Sequence, residues 1–206
     1  MNCPLCHSNG AESSYENDPS YLVCGHCFLI FLRPERRLRR EAEKQFYALH
    51  ENHGTPYLNY LLKLARPVVA RVAKGAKGLD FGCGPTEGMR ELLSPLGFSV
   101  DSYDPFFFPR VLPKNHCNFA LCSEAAEHFF QPDMEFAALH ASLKKGAILG
   151  VSSQLWEGQG AFRDWYYRRD PTHVSIYRPE TVRWIAKRFG WELLELSSPL
   201  WVLRKA

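Results

Sequence analysis

The stretch Gly78-Leu79-Asp80-Phe81-Gly82-Cys83-Gly84-Pro85-Thr86-Glu87-Gly88 constrains this chain more than any other. Leu79 and Phe81 read as the end of a short buried strand, the glycines force a tight turn, and Met89 to Leu93 has helical spacing. Strand, glycine turn and helix form the unit of open α/β sheets, which bind ligands beyond the carboxyl ends of their strands. Glycine there lets backbone come close to a ligand, because no Cβ stands in the way. Taken alone, the turn reads equally well as a tight strand-to-helix connection.

Two further stretches narrow the reading. Ser99 to Asp104 looks like a second strand ending in an acid about twenty residues after the turn, where a ribose-binding carboxylate is expected. Phe119 to Glu124 looks like a third, with Ser123 and Glu124 at its end. Leu79-Asp80-Phe81-Gly82-Cys83-Gly84, Tyr103-Asp104 and Glu124-Ala125-Ala126-Glu127-His128-Phe129, in that order, resemble the class I S-adenosylmethionine-dependent methyltransferases over residues 45–206. The resemblance implies an α/β, Rossmann-like sheet, mostly parallel with one antiparallel strand. It implies S-adenosylmethionine as cofactor and S-adenosylhomocysteine as product. By the same resemblance Asp80 and Glu124 meet the methionine end, the backbone of Gly82, Cys83 and Gly84 runs beneath the cofactor, Asp104 accepts the ribose hydroxyls, and Ser123 also contacts the cofactor. Thr86 departs from the pattern, standing where a third close glycine is common, with Gly88 just beyond.

Pro105-Phe106-Phe107-Phe108-Pro109 follows the second strand. Three consecutive aromatics cannot all point inward, so at least one is expected over the cleft, where it can stack on adenine, and Pro105 and Phe106 are taken as cofactor-binding. Only fourteen residues separate Asp104 from Phe119, so the third strand of the usual fold is shortened or missing. Helices are expected over 41–50 and 57–73, and the resemblance implies Tyr47, His50, Asn52 and Tyr57 over the cofactor, each also readable as a half-buried packing residue. Residues 132–145 read as a helix stopped by Gly146, 147–152 as a buried strand, 179–189 as a helix, and 191–204 as a closing hairpin.

Cys3-x2-Cys6 and Cys24-x2-Cys27, seventeen residues apart, have the spacing of a four-cysteine zinc ribbon holding one structural Zn2+. A pair of disulfides is the competing reading, disfavoured by the two-residue loops and by a chain that reads as cytosolic. The expected division is a ribbon over 1–32, a helical linker with cofactor-covering helices over 33–74, and a methyltransferase core over 75–206. The ribbon is too small to fold alone, and losing a ligand cysteine is expected to loosen it before cofactor affinity changes. No run of eighteen apolar residues occurs and Met1-Asn2-Cys3-Pro4 does not open a signal peptide, so a soluble cytoplasmic protein without membrane contact is expected.

The net charge of +3 does not by itself imply nucleic acid. Arg33 to Arg40, with five arginines against one glutamate, reads either as an RNA-binding footprint or as a solvated helix start pairing with Glu41 and Glu43. The leading function is methyl transfer to a small polar or aromatic acceptor. RNA methylation and a non-catalytic adaptor are the alternatives. His128 and His173 are the candidate bases, because imidazole titrates near neutrality, and Glu127 would orient one of them. Each histidine is equally readable as a packing residue. Residues 156–177, rich in Trp, Tyr and Arg, are expected to form a partly mobile substrate wall with His173 facing the methyl.

Overall fold

A computed structural model describes residues 1–9, 11, 15–16, 18–49, 53–158 and 160–206. The N-terminal cysteine region carries a hairpin, β1 (Tyr21–Val23) and β2 (Ile30–Leu32), paired antiparallel. Two helices follow, α1 (Arg40–Ala48) and α2 (Gly54–Val69). Then come β3 (Lys77–Phe81), α3 (Gly88–Leu93), β4 (Ser99–Tyr103), β5 (Cys117–Ser123), α4 (Pro132–Ser142) and β6 (Leu143–Ser152). The chain closes with β7 (Ser175–Ile176), α5 (Pro179–Phe189), β8 (Trp191–Leu196) and β9 (Leu200–Lys205).

The main sheet has the order β4-β3-β5-β6-β9-β8. β4, β3, β5 and β6 pair in parallel, while β9 runs antiparallel to both neighbours. Among the described residues no strand lies outside β4, so the region between Asp104 and Cys117 holds no third strand and β4 is the sheet edge.

Side chains alternate across this sheet, as the two-residue period of a strand requires. Phe119 and Leu121 of β5, Ile148 of β6 and Val202 of β9 meet Leu61, Leu64, Ala65 and Val68 of α2 and Met89 and Leu93 of α3. The α2 residues repeat at three- and four-residue steps, the stripe that one helix face buries. Ala120 and Cys122, Leu149 and Val151, Trp201 and Leu203 face the other way, onto Phe136 and Leu139 of α4 and Val182, Ile185 and Ala186 of α5. Leu5, Leu29 and Phe31 of the cysteine-bearing region belong to that same second core.

Two expectations are corrected here. The helix before β6 ends at Ser142, not Lys145. Gly146 is no helix stop: Cys117 pairs with Leu143 and Phe119 with Ile148, so residues between Leu143 and Ile148 bulge from the ladder. Its φ of 75° lets the backbone turn within that bulge.

The segment between β6 and α5 is the second correction. Trp156, Phe162, Tyr167, Val174 and Ile176 are buried with Tyr21, Ile30 and Leu32 of the hairpin. Ser175 and Ile176 form β7, which pairs antiparallel with β2 and makes a three-stranded sheet. Trp156 Nε1 donates to Tyr15 Oη at 2.8 Å, and Arg168 pairs with Asp18 at 2.5 Å. The aromatics are therefore a seat for the hairpin. Burying large apolar rings there is worth more than leaving them along an open cleft.

Candidate active site

The carboxyl ends of β3, β4 and β5 open into a cavity of about 350 Å³, roofed by α1 and α2 through Tyr47, Tyr57 and Tyr60. His50 and Asn52 lie outside the described residues. The floor is the glycine turn. Tyr103 O accepts from Gly82 N at 2.8 Å and Cys83 N at 3.1 Å, which ties the turn to the end of β4. Gly82 has φ 79°, and a Cβ on it would stand 2.5 Å from Ala125 Cβ, so no larger residue fits. Gly88 meets the close-approach requirement where Thr86 departs from the pattern. A Cβ there would lie 2.6 Å from Tyr57 Cε1 and 2.8 Å from Leu61 Cδ1, so bare backbone lets α2 settle onto α3.

Asp104 is held in place by backbone. Its Oδ1 accepts from Phe106 N at 2.8 Å and Phe107 N at 3.1 Å, and its Oδ2 accepts from Gly84 N at 3.1 Å. A carboxylate has about four lone-pair sites, so Asp104 keeps acceptor capacity toward the cavity it lines. Pro105 and Phe106 also line it, and the Arg40 guanidinium lies 4.3 Å from the Phe106 ring centroid. Phe107 turns outward beneath Lys44.

Asp80, 4% exposed at the end of β3, is pushed up to about 8 by burial, with Asp104 and Glu87 adding repulsion. Glu124 has φ 45°, a left-handed conformation that costs a non-glycine residue about 1–2 kcal/mol. That conformation aims its carboxylate: Ser152 Oγ donates to Oε1 at 2.8 Å, Tyr167 Oη lies 3.4 Å from Oε2, and burial lifts the group to about 7. Ser123 and Cys83 line the cavity beside them.

Glu43, which helical spacing reads as an exposed ion-pair partner of the arginine run, instead lines the cavity and accepts from Tyr47 Oη at 2.8 Å. Burial raises it, and burial lifts Glu135 on α4 to about 7. Sequence reasoning missed both acids, along with Tyr60, and placed Tyr167 only in the expected substrate wall. The one signal for Glu43 was its position one helical turn before Tyr47 on α1.

His128 reaches the cavity, and His173 stands behind it with ring centroids 4.9 Å apart. His128 Nδ1 lies 3.0 Å from Thr172 O, and His173 Nδ1 lies 2.6 Å from Tyr167 O. A carbonyl has no proton to give, so each Nδ1 carries the hydrogen. Burial lowers the His128 pKa, which keeps the ring neutral with a bare Nε2. Glu127 is fully buried beside them, its Oε1 accepting from Tyr167 Oη at 2.5 Å. His173 does not line the cavity; its ring sits behind His128 and against Tyr167.

The four N-terminal cysteines form a separate cluster. Cys3 Sγ lies 3.5 Å from Cys27 Sγ and Cys6 Sγ lies 3.4 Å from Cys24 Sγ, with all four sulfurs within 4.8 Å of one another. All four are free thiols, near the sulfur separations of a tetrahedral site with metal–sulfur bonds of about 2.3 Å. His7 and Phe28, just past the two Cys-x2-Cys pairs, have φ 59° and 63° and turn the chain after each.

The family model of a methyltransferase domain matches residues 56–196. The chain belongs to that family. It is a methyltransferase with the class I fold, and the sheet order and antiparallel β9 agree with that fold. Among solved structures it is similar to the Burkholderia thailandensis 1,6-didemethyltoxoflavin-N1-methyltransferase with bound 1,6-didemethyltoxoflavin and S-adenosylhomocysteine. The TM-score is 0.61 and the identity 11%, covering 86% of this chain and 96% of that one. A SAM-dependent methyltransferase from Archaeoglobus fulgidus gives a TM-score of 0.55 at 18% identity, over 72% and 74% of the two chains. No curated protein matches the sequence. No helix among the described residues is long and apolar enough to cross a membrane.

Proposed function

We propose that the cavity binds S-adenosylmethionine and that the methyltransferase acts on a small polar or aromatic acceptor that is neutral or cationic. The observation that carries this reading is the charge of the lining. Glu43, Asp80, Asp104, Glu124 and Glu135 all face the cavity, and its lining residues include no lysine or arginine. Four of those acids, Glu43, Asp80, Glu124 and Glu135, sit high because burial leaves their charge uncompensated. A ligand with an ammonium and a sulfonium relieves that penalty, and an anionic acceptor does not.

S-adenosylmethionine supplies a methyl on a positively charged sulfur. The chain supplies the geometry: Asp104 for the ribose hydroxyls, Phe106 for the adenine face, the turn Gly82–Gly84 beneath, and Asp80 with Glu124 for the ammonium. His128 is the histidine that lines the acceptor end of the cavity. Glu127 and His173 act through it. Holding the reacting atoms in line provides much of the acceleration, and Tyr47, Tyr57 and Tyr60 exclude water above them.

Arg33 and Arg37 donate to Pro19 O and Leu32 O, and Arg40 to Pro105 O, so three of the five arginines serve the fold. That favours the small acceptor over RNA. The cysteine cluster is read as a single structural zinc site, closed to substrate by its four thiolates.

Calorimetry tests the reading. S-adenosylhomocysteine should bind, and Asp104→Ala should weaken it by about 1.5–3 kcal/mol, the range for hydrogen bonds to a charged group. Binding of NAD with no response to S-adenosylhomocysteine would overturn it.

A further inference from the structure

Behind His128 the protein buries the Glu127 carboxylate close to that of Glu124. Glu127 is fully buried, and its Oε2 has no hydrogen-bond partner among the described residues. Native interiors rarely leave such an atom unsatisfied, and an ion is one of the explanations.

The neighbours of that oxygen are metal ligands by type and by preparation. Glu127, His128 and His173 each offer a ligand atom, and the three atoms lie within 4.8 Å of one another. Both imidazoles donate Nδ1–H to a backbone carbonyl, Thr172 O and Tyr167 O. That second bond is the one metal-bound histidines make, because it fixes the tautomer and turns Nε2 toward the metal. His173 Nε2 stands 4.0 Å from Glu127 Oε1 and 3.8 Å from Asp170 Oδ2. Ligand bonds of about 2.0–2.1 Å would bring neighbouring ligand atoms to about 3.0–3.4 Å, a closure that small side-chain rotations achieve. Glu124 and Asp170 add negative charge around the two histidines. His128 lines the cavity, so an ion has a way in and keeps open positions toward the acceptor.

We propose that Glu127, His128 and His173 hold a divalent transition-metal cation at the acceptor end of the cavity. Two imidazoles and one carboxylate suit manganese, iron, cobalt, nickel or zinc better than magnesium or calcium. The site itself stands on this geometry. Its use, drawing an oxygen or nitrogen of the acceptor into line, rests on the methyl-transfer reading.

Manganese is the probe, because it leaves thiolate-bound zinc in place. The full chain, with its zinc retained and S-adenosylhomocysteine added to occupy the acidic cofactor end, is titrated with MnCl2. The paramagnetic resonance signal of free Mn2+ reports binding. One Mn2+ per chain is expected, with nitrogen couplings from two imidazoles in the pulsed spectrum. His173→Ala and the isosteric Glu127→Gln should each weaken binding by about 10–100-fold. Glu127→Gln keeps an oxygen for Tyr167 and so guards against a variant that merely misfolds. No stoichiometric binding, a spectrum without nitrogen couplings, or affinity unmoved by Glu127→Gln would overturn the proposal. Calorimetry on the same samples keeps the two readings apart. S-adenosylhomocysteine binding without Mn2+ removes the metal site alone, and Mn2+ binding without S-adenosylhomocysteine removes the cofactor reading alone.

Discussion

Asp80 shows how burying a single side chain makes stability depend on pH. Its carboxyl is ordinary in the unfolded chain, near 3.8, and pushed up to about 8 in the folded one. Between those values the folded state holds a proton that the unfolded state has lost, so stability falls as pH rises through the window. Asp80→Asn removes that penalty. The variant should flatten the decline in Tm between about pH 4 and about pH 8, each kcal/mol recovered at the upper end raising Tm by about 2–4 °C. It should also bind S-adenosylhomocysteine more weakly, because the ammonium loses its counter-charge. Thermal melts across pH and calorimetry at pH 8 check both halves. A variant less stable at every pH would mean that Asp80 is ionised and paired in the folded protein.

At the level of elements, α2 is the piece whose position decides the shape of the cavity. It carries Tyr57 and Tyr60 over the cavity, and it rests on α3 at Gly88. Gly88→Ala should press a methyl into Tyr57 and Leu61, lift the N-terminal half of α2, and cost about 1–3 kcal/mol by overpacking. The loss should appear in both Tm and S-adenosylhomocysteine affinity. Unchanged affinity with a lowered Tm would show that α2 moves without disturbing the site. Most elements were legible because their signal is local. The apolar steps of Leu61, Leu64, Ala65 and Val68, the runs of β5 and β6, and the glycine turn each declare themselves within a dozen residues. Residues 154–178 did not, because an aromatic-rich stretch does not say which surface buries it. Its partners Tyr15, Asp18, Tyr21 and Ile30 lie more than a hundred residues earlier. The same distance hid Tyr167, which links Glu124, Glu127 and Ser153 only once the chain is folded.

The whole molecule ties its cysteine cluster to its active site by a continuous chain of packing. Cys3, Leu5, Cys24, Cys27, Leu29 and Phe31 share one core with Phe129, Phe136 and the inner faces of β5, β6 and β9. Through β2 the same hairpin pairs with β7, next to Thr172, His173 and Val174. Melting the N-terminal region would therefore uncover the α4–α5 face of the sheet and release the backbone carbonyls that orient both histidines. Fully burying one leucine or phenylalanine is worth about 1.5–3 kcal/mol, so exposing several exceeds the margin of a typical domain. An N-terminal unit that loosens before cofactor affinity changes, the expectation from its small size, conflicts with this shared core. We predict instead one cooperative thermal transition in protein carrying about one zinc per chain by elemental analysis. Cys27→Ser, or chelation at moderate temperature, should lower Tm and S-adenosylhomocysteine affinity together, and restoring zinc to the chelated protein should recover both. Two resolved transitions, or full cofactor affinity in metal-free protein whose N-terminal amides exchange freely, would show that the two cores part more easily than their shared packing implies.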